Sequence, residues 1–102
     1  MAIPQGTTPT HTFNIPFDSN IIKTAHIAYS QCDKIVFVKK DEDIQMSGSK
    51  ISTRLTQEDT LSLDPRKIVQ IQLRILTVSG DALKTSTFLR SVDACLEKEV
   101  LT

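Results

Sequence analysis

The stretch KIVQIQLRILTV, residues 67–78, decides the fold prediction. From residue 69 to 75, apolar residues occupy every second position and are separated by polar ones, which is the period-2 pattern of a strand with one buried face. The apolar set is Val69, Ile71, Leu73 and Ile75. A register slip of one residue would expose all four side chains, so the sequence specifies this strand strongly.

Shorter segments with strand character lie on both sides of this stretch. They cover residues 10–17, 22–31, 34–40, 44–46, 50–55 and 82–92, with a change of phase near Phe88 that predicts a bulge. The SGS turn at 47–49 predicts a hairpin between two of them. Turn residues recur at intervals of roughly 8 to 12 residues, which is typical of a sandwich or small barrel. We predict an all-β fold, an immunoglobulin-like two-sheet antiparallel β-sandwich of about seven strands.

The ends of the chain and one internal corner carry weaker strand signals. Residues 1–9, rich in proline and threonine, predict a flexible tail, followed by a single sandwich domain over 10–102. The polar stretch TQEDT at 56–60 predicts one helical turn or a tight corner. Residues 92–101, VDACLEKEVL, fit either the end of a strand or a short C-terminal helix capped by Asp93.

The charge balance disfavours two classes of partner. Twelve basic and twelve acidic residues cancel, so the chain lacks the field that draws proteins to nucleic acid or anionic membranes. The charged run at 39–43 predicts a solvated turn. No export signal or apolar span of about 20 residues is present, which predicts synthesis in the cytosol. Cys32 and Cys95 fit a bridge between sheets or two free thiols, and cytosolic redox conditions favour the thiols.

The residue types that carry chemistry are scattered. His11, His26, Cys32 and Cys95 show no zinc-ligand spacing. No serine lies in a nucleophile elbow, and the three glycines form no phosphate loop. Carboxylates in the predicted turns should keep ordinary pKa values and make poor proton donors at neutral pH. We therefore predict a protein that is not an enzyme and has no catalytic, metal or cofactor site.

Two strands offer candidate contact surfaces. In KIVFVKK, residues 34–40, both faces are apolar, which predicts a central strand or one whose outer face is covered by a partner. The strand at 67–78 carries a polar stripe opposite its apolar one. The candidate interaction surface consists of Val36, Val38, Gln70, Gln72 and Arg74. These faces are either a solvent face and a second buried face, or a surface that packs against another subunit.

A resemblance to a phage protein family rests on residues 55–92. This segment has an acidic corner, TQEDT at 56–60, then a strand with IQLR at 71–74, a turn at Gly80 and Asp81, and a Ser/Thr-rich strand. It resembles the amino-terminal β-sandwich domain of baseplate upper proteins from phages of Gram-positive bacteria, and short prophage reading frames. The resemblance implies a β-sandwich and no catalytic residues. The resemblance does not extend to the fibre and receptor-binding regions of those proteins.

Three hypotheses for the function follow. The leading one is a non-enzymatic virion assembly or accessory protein that contacts other virion proteins or itself as a homo-oligomer, without nucleic acid or membrane. It would be cytoplasmic when synthesised and would then join the virion. The alternative is a carbohydrate-binding or adhesion module with exposed aromatic side chains over a groove. The third, a small enzyme or ligand carrier, requires a polar pocket with converging titratable groups.

Overall fold

The computed structural model describes residues 2–85 and 87–102, and these form ten strands, one short α-helix and two 3₁₀ turns. The strands are β1 (Ile3–Pro4), β2 (Thr10–Asn14), β3 (Ile22–Gln31), β4 (Lys34–Lys39), β5 (Ile44–Ser47), β6 (Lys50–Arg54), β7 (Val69–Thr77), β8 (Ala82–Lys84), β9 (Phe88–Arg90) and β10 (Val92–Asp93). Helix α1 spans Gln57–Leu61, and the 3₁₀ turns span Ser19–Ile21 and Asp41–Asp43.

The strands form two antiparallel sheets and one small parallel pair. The three-stranded sheet has the order β2-β6-β5, and the five-stranded sheet has the order β4-β3-β7-β8, with β9 also paired to β7. In chain order this matches strands B, E and D of one immunoglobulin sheet and C′, C, F and G of the other, as in variable-type domains. The predicted immunoglobulin-like β-sandwich is confirmed. The strand count exceeds seven because the G strand is divided and two-residue strands join the ends.

The core lies between the two sheets and is built around β7. Its predicted apolar set is buried, and each member is matched by a buried residue of β3 or by a residue of β9. Tyr29 pairs with Ile71 and Ile27 pairs with Leu73. The opposing sheet contributes Ile51 of β6 to the core. The predicted hairpin is confirmed, since β5 and β6 pair as antiparallel neighbours. Alternation therefore determined the buried face of β7 correctly.

Helix α1 forms the corner between the sheets, as TQEDT predicts. The Thr56 hydroxyl accepts a hydrogen bond from the Asp59 amide at 3.0 Å, and the Asp59 carboxylate accepts one from the Thr56 amide at 2.9 Å. This capping box fixes the first turn of the helix. The buried Thr60 hydroxyl donates to the Thr7 carbonyl at 3.0 Å, so the corner also holds the segment before β2.

The amino-terminal segment is part of the fold, and the prediction of a flexible tail over residues 1–9 is wrong for Ile3 to Gln5. Ile3 is 2% exposed, and its amide donates to the Ser91 carbonyl at 2.8 Å. The Gln5 side chain is buried and donates to the Leu63 carbonyl at 2.7 Å. Pairing of β1 with β10 joins the two ends of the chain, and a local sequence pattern carries no sign of such a contact.

The carboxyl-terminal segment continues from the parallel pair without a helix. Residues 94–102, all of which the structure describes, contain no helical turn, so the short C-terminal helix is not formed. The Asp93 carbonyl accepts from the Gln5 amide at 2.9 Å, which holds this residue in a strand rather than at a helix cap. Leu101 is fixed by two hydrogen bonds to the Gln57 side chain.

The predicted bulge near Phe88 is replaced by a division of the strand into β8 and β9. Between them, Thr85 pairs with Leu73 through its backbone amide at 2.9 Å and through its hydroxyl at 3.1 Å. Both pieces remain hydrogen-bonded to β7. The first piece ends at Lys84 and the second begins at Phe88, and Ser86 between them lies outside the described residues.

Candidate functional site

The first candidate surface is the outer face of the five-stranded sheet, the side that points away from the core. Strand register defines it: Ala28 pairs with both Val38 and Gln72, and Ser30 pairs with Gln70. These residues alternate with the buried set, so their side chains point outward. Arg74, opposite His26, lies on the same face. Four of the five predicted surface residues, Val38, Gln70, Gln72 and Arg74, are thus brought together.

Val36 is not part of this face. The register of β3 and β4 shifts between Tyr29 and Ser30, so that Phe37 pairs with Tyr29 whereas Ile35 pairs with Ser30. Val36 is the extra residue of this bulge and packs with Phe37 against the core. The predicted apolar stripe of Val36 and Val38 is wrong, because a bulge reverses the alternation within the strand. β4 is also an edge strand rather than a central one.

The outer face combines exposed apolar side chains with an ordered polar ladder. One row across the sheet runs from Ile35 through Ser30 and Gln70 to Leu89. Its two ends are well exposed, Ile35 by 67% and Leu89 by 58%. The Ser30 hydroxyl donates to the Gln70 amide oxygen at 3.2 Å. Such a row offers apolar contact at both edges and hydrogen bonding in the middle.

One end of the outer face is basic. Arg74 lies directly opposite Lys84 across the β7–β8 pair, and His26 is the partner of Arg74 on the other side. Like charges opposite each other on a sheet are unfavourable in the isolated domain. An anionic group held against Arg74 and Lys84 would remove this repulsion.

A second surface, which the sequence reasoning missed, is a groove between the two sheets. It has a volume of about 490 Å³ and lies between β2 and β9. Phe13 and Phe88 meet across it with ring centroids 5.6 Å apart, and Ile71 contributes to its floor. His11 and Arg90 line the groove as well. Residues 10–14 and 88–90 are distant in sequence, so no local pattern could indicate that they meet.

His11 is held at this groove by a buried tyrosine. Its Nδ1 lies 2.6 Å from the hydroxyl oxygen of Tyr29. Burial, and secondly the charge of Arg90, lower the pKa of His11 from its ordinary value of 6.5. Burial, and secondly the charge of Asp59, raise the pKa of Tyr29. Both groups are therefore neutral near pH 7, which suits a structural hydrogen bond.

The charged run at 39–43 is more structured than a solvated turn. Lys39 is 7% exposed and forms an ion pair with Asp59 of helix α1. Asp41 accepts hydrogen bonds from the Thr24 hydroxyl at 2.5 Å and the Ala25 amide at 2.8 Å. The hydrogen bond from the Thr24 hydroxyl, and secondly the one from the Ala25 amide, lower the pKa of Asp41. The prediction that this carboxylate keeps an ordinary pKa is therefore wrong. The charged run at 39–43 therefore links strand β3 of the five-stranded sheet to helix α1 at the corner.

The structure adds three observations on other kinds of site. Within residues 2–85 and 87–102, no group of three or more His, Cys, Asp and Glu side chains is placed to hold a metal ion. Cys32, in the β3–β4 turn, and Cys95 are both free thiols. Of the helices in the described part of the chain, none has the length and apolar character needed to cross a membrane.

Comparison with known proteins identifies no family for this chain. No family model matches the chain, and no curated protein matches it. Among solved structures, the V domain of amphioxus IgVJ-C2 is similar to it, with a TM-score of 0.36 and 13% identity over 92% of this chain and 100% of that chain. A TM-score this low establishes neither fold nor function. The immunoglobulin-like arrangement therefore rests on the order and register of the strands described above.

Proposed function

We propose that this chain is a non-enzymatic structural or accessory component of a phage or prophage virion, which acts through protein contacts made by the outer face of the five-stranded sheet. The observation that carries the contact role is the row from Ile35 to Leu89, with two exposed apolar side chains and an ordered glutamine between them. Packing of this flat row against another chain would remove both apolar side chains from water, which favours association.

The size of the outer face fits an ordinary protein contact. β7 has nine residues and the face is four strands wide. At about 3.4 Å per residue and about 4.8 Å per strand, it measures roughly 30 Å by 19 Å. One side of a standard interface buries about 800 Å² of accessible surface. The face can thus supply most of such a contact without a change of fold.

The charge of the outer face favours a different chain as partner over a second copy. Arg74 and Lys84 are adjacent at one end, whereas the carboxylate of Asp41, at the rim of this face, already accepts hydrogen bonds from the Thr24 hydroxyl and the Ala25 amide. In a face-to-face pair of copies this carboxylate would not be free to pair with the two cations. A partner that carries aspartate or glutamate would complement them. We therefore favour another virion protein, rather than a second copy of this chain, as the partner of the outer face.

The virion context is supported by the resemblance of residues 55–92 to phage baseplate proteins. Two parts of that resemblance have structural roles: TQEDT forms the capped corner, and IQLR at 71–74 alternates between core and outer face. Gln72 and Arg74 of this second motif are on the proposed contact surface.

The test is incorporation into particles. In the source strain, the prophage copy of the gene would be deleted and replaced by a tagged copy, and particles would be purified on a density gradient after induction. Mass spectrometry should find the tagged chain in a fixed ratio to the other structural proteins. Its absence from particles that contain the remaining structural proteins would refute the virion role.

Two leucine variants separate the contact surface from the virion role. Leu89→Asp places a carboxylate on the outer face, whereas Leu96→Asp changes a fully exposed leucine in the C-terminal segment. Burying an unpaired charge in a contact costs at least about 2 kcal/mol. Leu89→Asp should therefore reduce incorporation about thirtyfold, while Leu96→Asp should incorporate normally. Equal incorporation of the two folded variants would contradict the assignment of the outer face.

Carbohydrate binding is the second candidate, on one specific observation. Phe88 is 38% exposed and lines the groove between the sheets with Phe13. Aromatic faces at a groove can stack on sugar rings. A glycan array with the purified chain tests this role, and a specific hit lost in Phe88→Ala would favour it over the virion hypothesis.

A further inference from the structure

We infer that the groove between β2 and β9 binds an extended peptide strand of a partner protein, which pairs with the free edge of β2 and carries an apolar residue followed, two positions on, by a carboxylate. This site is separate from the outer face, because the groove opens between the sheets and the outer face points away from them.

The backbone of β2 supplies the first half of the site. β2 pairs with β6 on one side only, in the register that sets His11 opposite Thr53. The hydrogen bonds from Leu55 to Pro9 and from Ile15 to Ser49 fix which residues face β6. Antiparallel alternation then turns the amides and carbonyls of Thr10, Thr12 and Asn14 away from β6. All three residues are exposed, so six backbone groups form an open edge.

The side chains of the groove define what such a strand would carry. His11 and Phe13 are two residues apart and on one face of β2, about 7 Å apart along the strand. Phe13 faces Phe88, and His11 and Arg90 line the same groove. An incoming strand has the same spacing between alternate side chains. It would set one apolar residue on the two phenylalanines and the next inward residue beside Arg90.

Charge complementarity selects a carboxylate for that second position. The described residues that line the groove include the cation Arg90 and the imidazole of His11, and no aspartate or glutamate. Arg90 donates to the Leu89 carbonyl at 2.7 Å, and no carboxylate of residues 2–85 and 87–102 forms an ion pair with it. A guanidinium with free donors beside an open strand edge fits a peptide carboxylate. β2 is the better edge because β8 and β9 are interrupted.

The test uses the full chain, labelled with nitrogen-15, and an end-capped eight-residue peptide. The peptide carries phenylalanine and, two positions later, aspartate, with threonine and serine elsewhere. Titration should shift the amide resonances of Thr10, Thr12 and Asn14, and leave those of Ile35 and Gln70 unchanged. A peptide with lysine in place of aspartate should bind at least about tenfold more weakly. Arg90→Glu should reverse this preference.

A pair of variants isolates the backbone contribution. Thr12→Pro removes an amide that points away from β6, so the sheet keeps its ladder, and the affinity for the peptide should fall at least about tenfold. Thr12→Val changes the side chain and keeps the amide, so it should bind as the parent does.

Three results would overturn the inference: no shifts up to about 1 mM peptide, shifts confined to the outer face, or binding unaffected by Thr12→Pro in a folded protein. Binding of a glycan in the groove without peptide binding would also count against it. Leu89→Asp should leave peptide binding unchanged, so loss of particle incorporation and loss of peptide binding are distinguishable.

Discussion

The ion pair between Lys39 and Asp59 gives the sharpest test of how the two sheets are joined. Lys39 is the last residue of edge strand β4, and Asp59 belongs to helix α1 at the corner. The Lys39 side chain is 9% exposed and the Asp59 side chain 18%. The perturbations are Lys39→Met, Asp59→Asn and the double variant. Each keeps the approximate volume of the side chain and removes a charge.

The expected magnitudes follow from what each change leaves behind. Removing one partner of a fully buried pair costs about 3–5 kcal/mol in unfolding free energy. Lys39→Met leaves a carboxylate that still accepts from the Thr56 amide and is partly hydrated, so we expect about 1–2 kcal/mol. Asp59→Asn leaves a more deeply buried ammonium without a carboxylate, so we expect about 3 kcal/mol. The asparagine oxygen can keep the helix cap.

The assay is urea unfolding followed by far-UV circular dichroism, with thermal melts as a second measure. At about 4–8 °C per kcal/mol, Asp59→Asn should lower the melting temperature by roughly 12–24 °C. The double variant should be less destabilised than the sum of the single ones by at least about 1 kcal/mol. Additive effects, or a Lys39→Met protein as stable as the parent, would refute the role of the pair as a tie between sheet and corner.

Three further predictions concern other contacts. The pKa of His11 is lowered in the folded protein, so the unfolded chain binds more protons as the pH falls below 6.5. The unfolding free energy should therefore fall as the pH drops through that value. In His11→Asn the unfolding free energy should depend less on pH between pH 7 and 5, and an unchanged dependence would exclude the imidazole of His11 as its source. Cys32 has a φ of +51° in the β3–β4 turn, a backbone conformation that strains residues with a Cβ atom. Cys32→Gly should therefore stabilise the protein by about 0.5–1 kcal/mol in urea titrations, whereas Cys32→Ala keeps the strain and should not stabilise it. Gln5→Ala leaves the Leu63 carbonyl and the Cys95 amide without their partner and should cost about 1–3 kcal/mol; hydrogen exchange should then rise at both chain ends, and protection equal to that of the parent would refute the anchoring role of Gln5.

Local pattern predicted those parts of the fold whose burial repeats along the chain. The alternation in β7 identified its buried side chains and, on the opposite face, Gln70, Gln72 and Arg74. The polar stretch TQEDT predicted one helical turn or a tight corner, and the structure forms the helical turn, whose capping box is a local interaction. Each of these depends on neighbours within a few residues, which the sequence displays directly.

By itself, then, the sequence determined the all-β class, the immunoglobulin-like sandwich and four residues of the outer face. Tertiary structure decided the rest: the bulge that turns Val36 inward and Ile35 outward, the pairing of the chain ends at Ile3, and the groove of His11 and Arg90. These features arise from contacts between segments that are far apart in sequence. Their residues carry no shared periodicity, so only the register and packing of the sheets could bring them together.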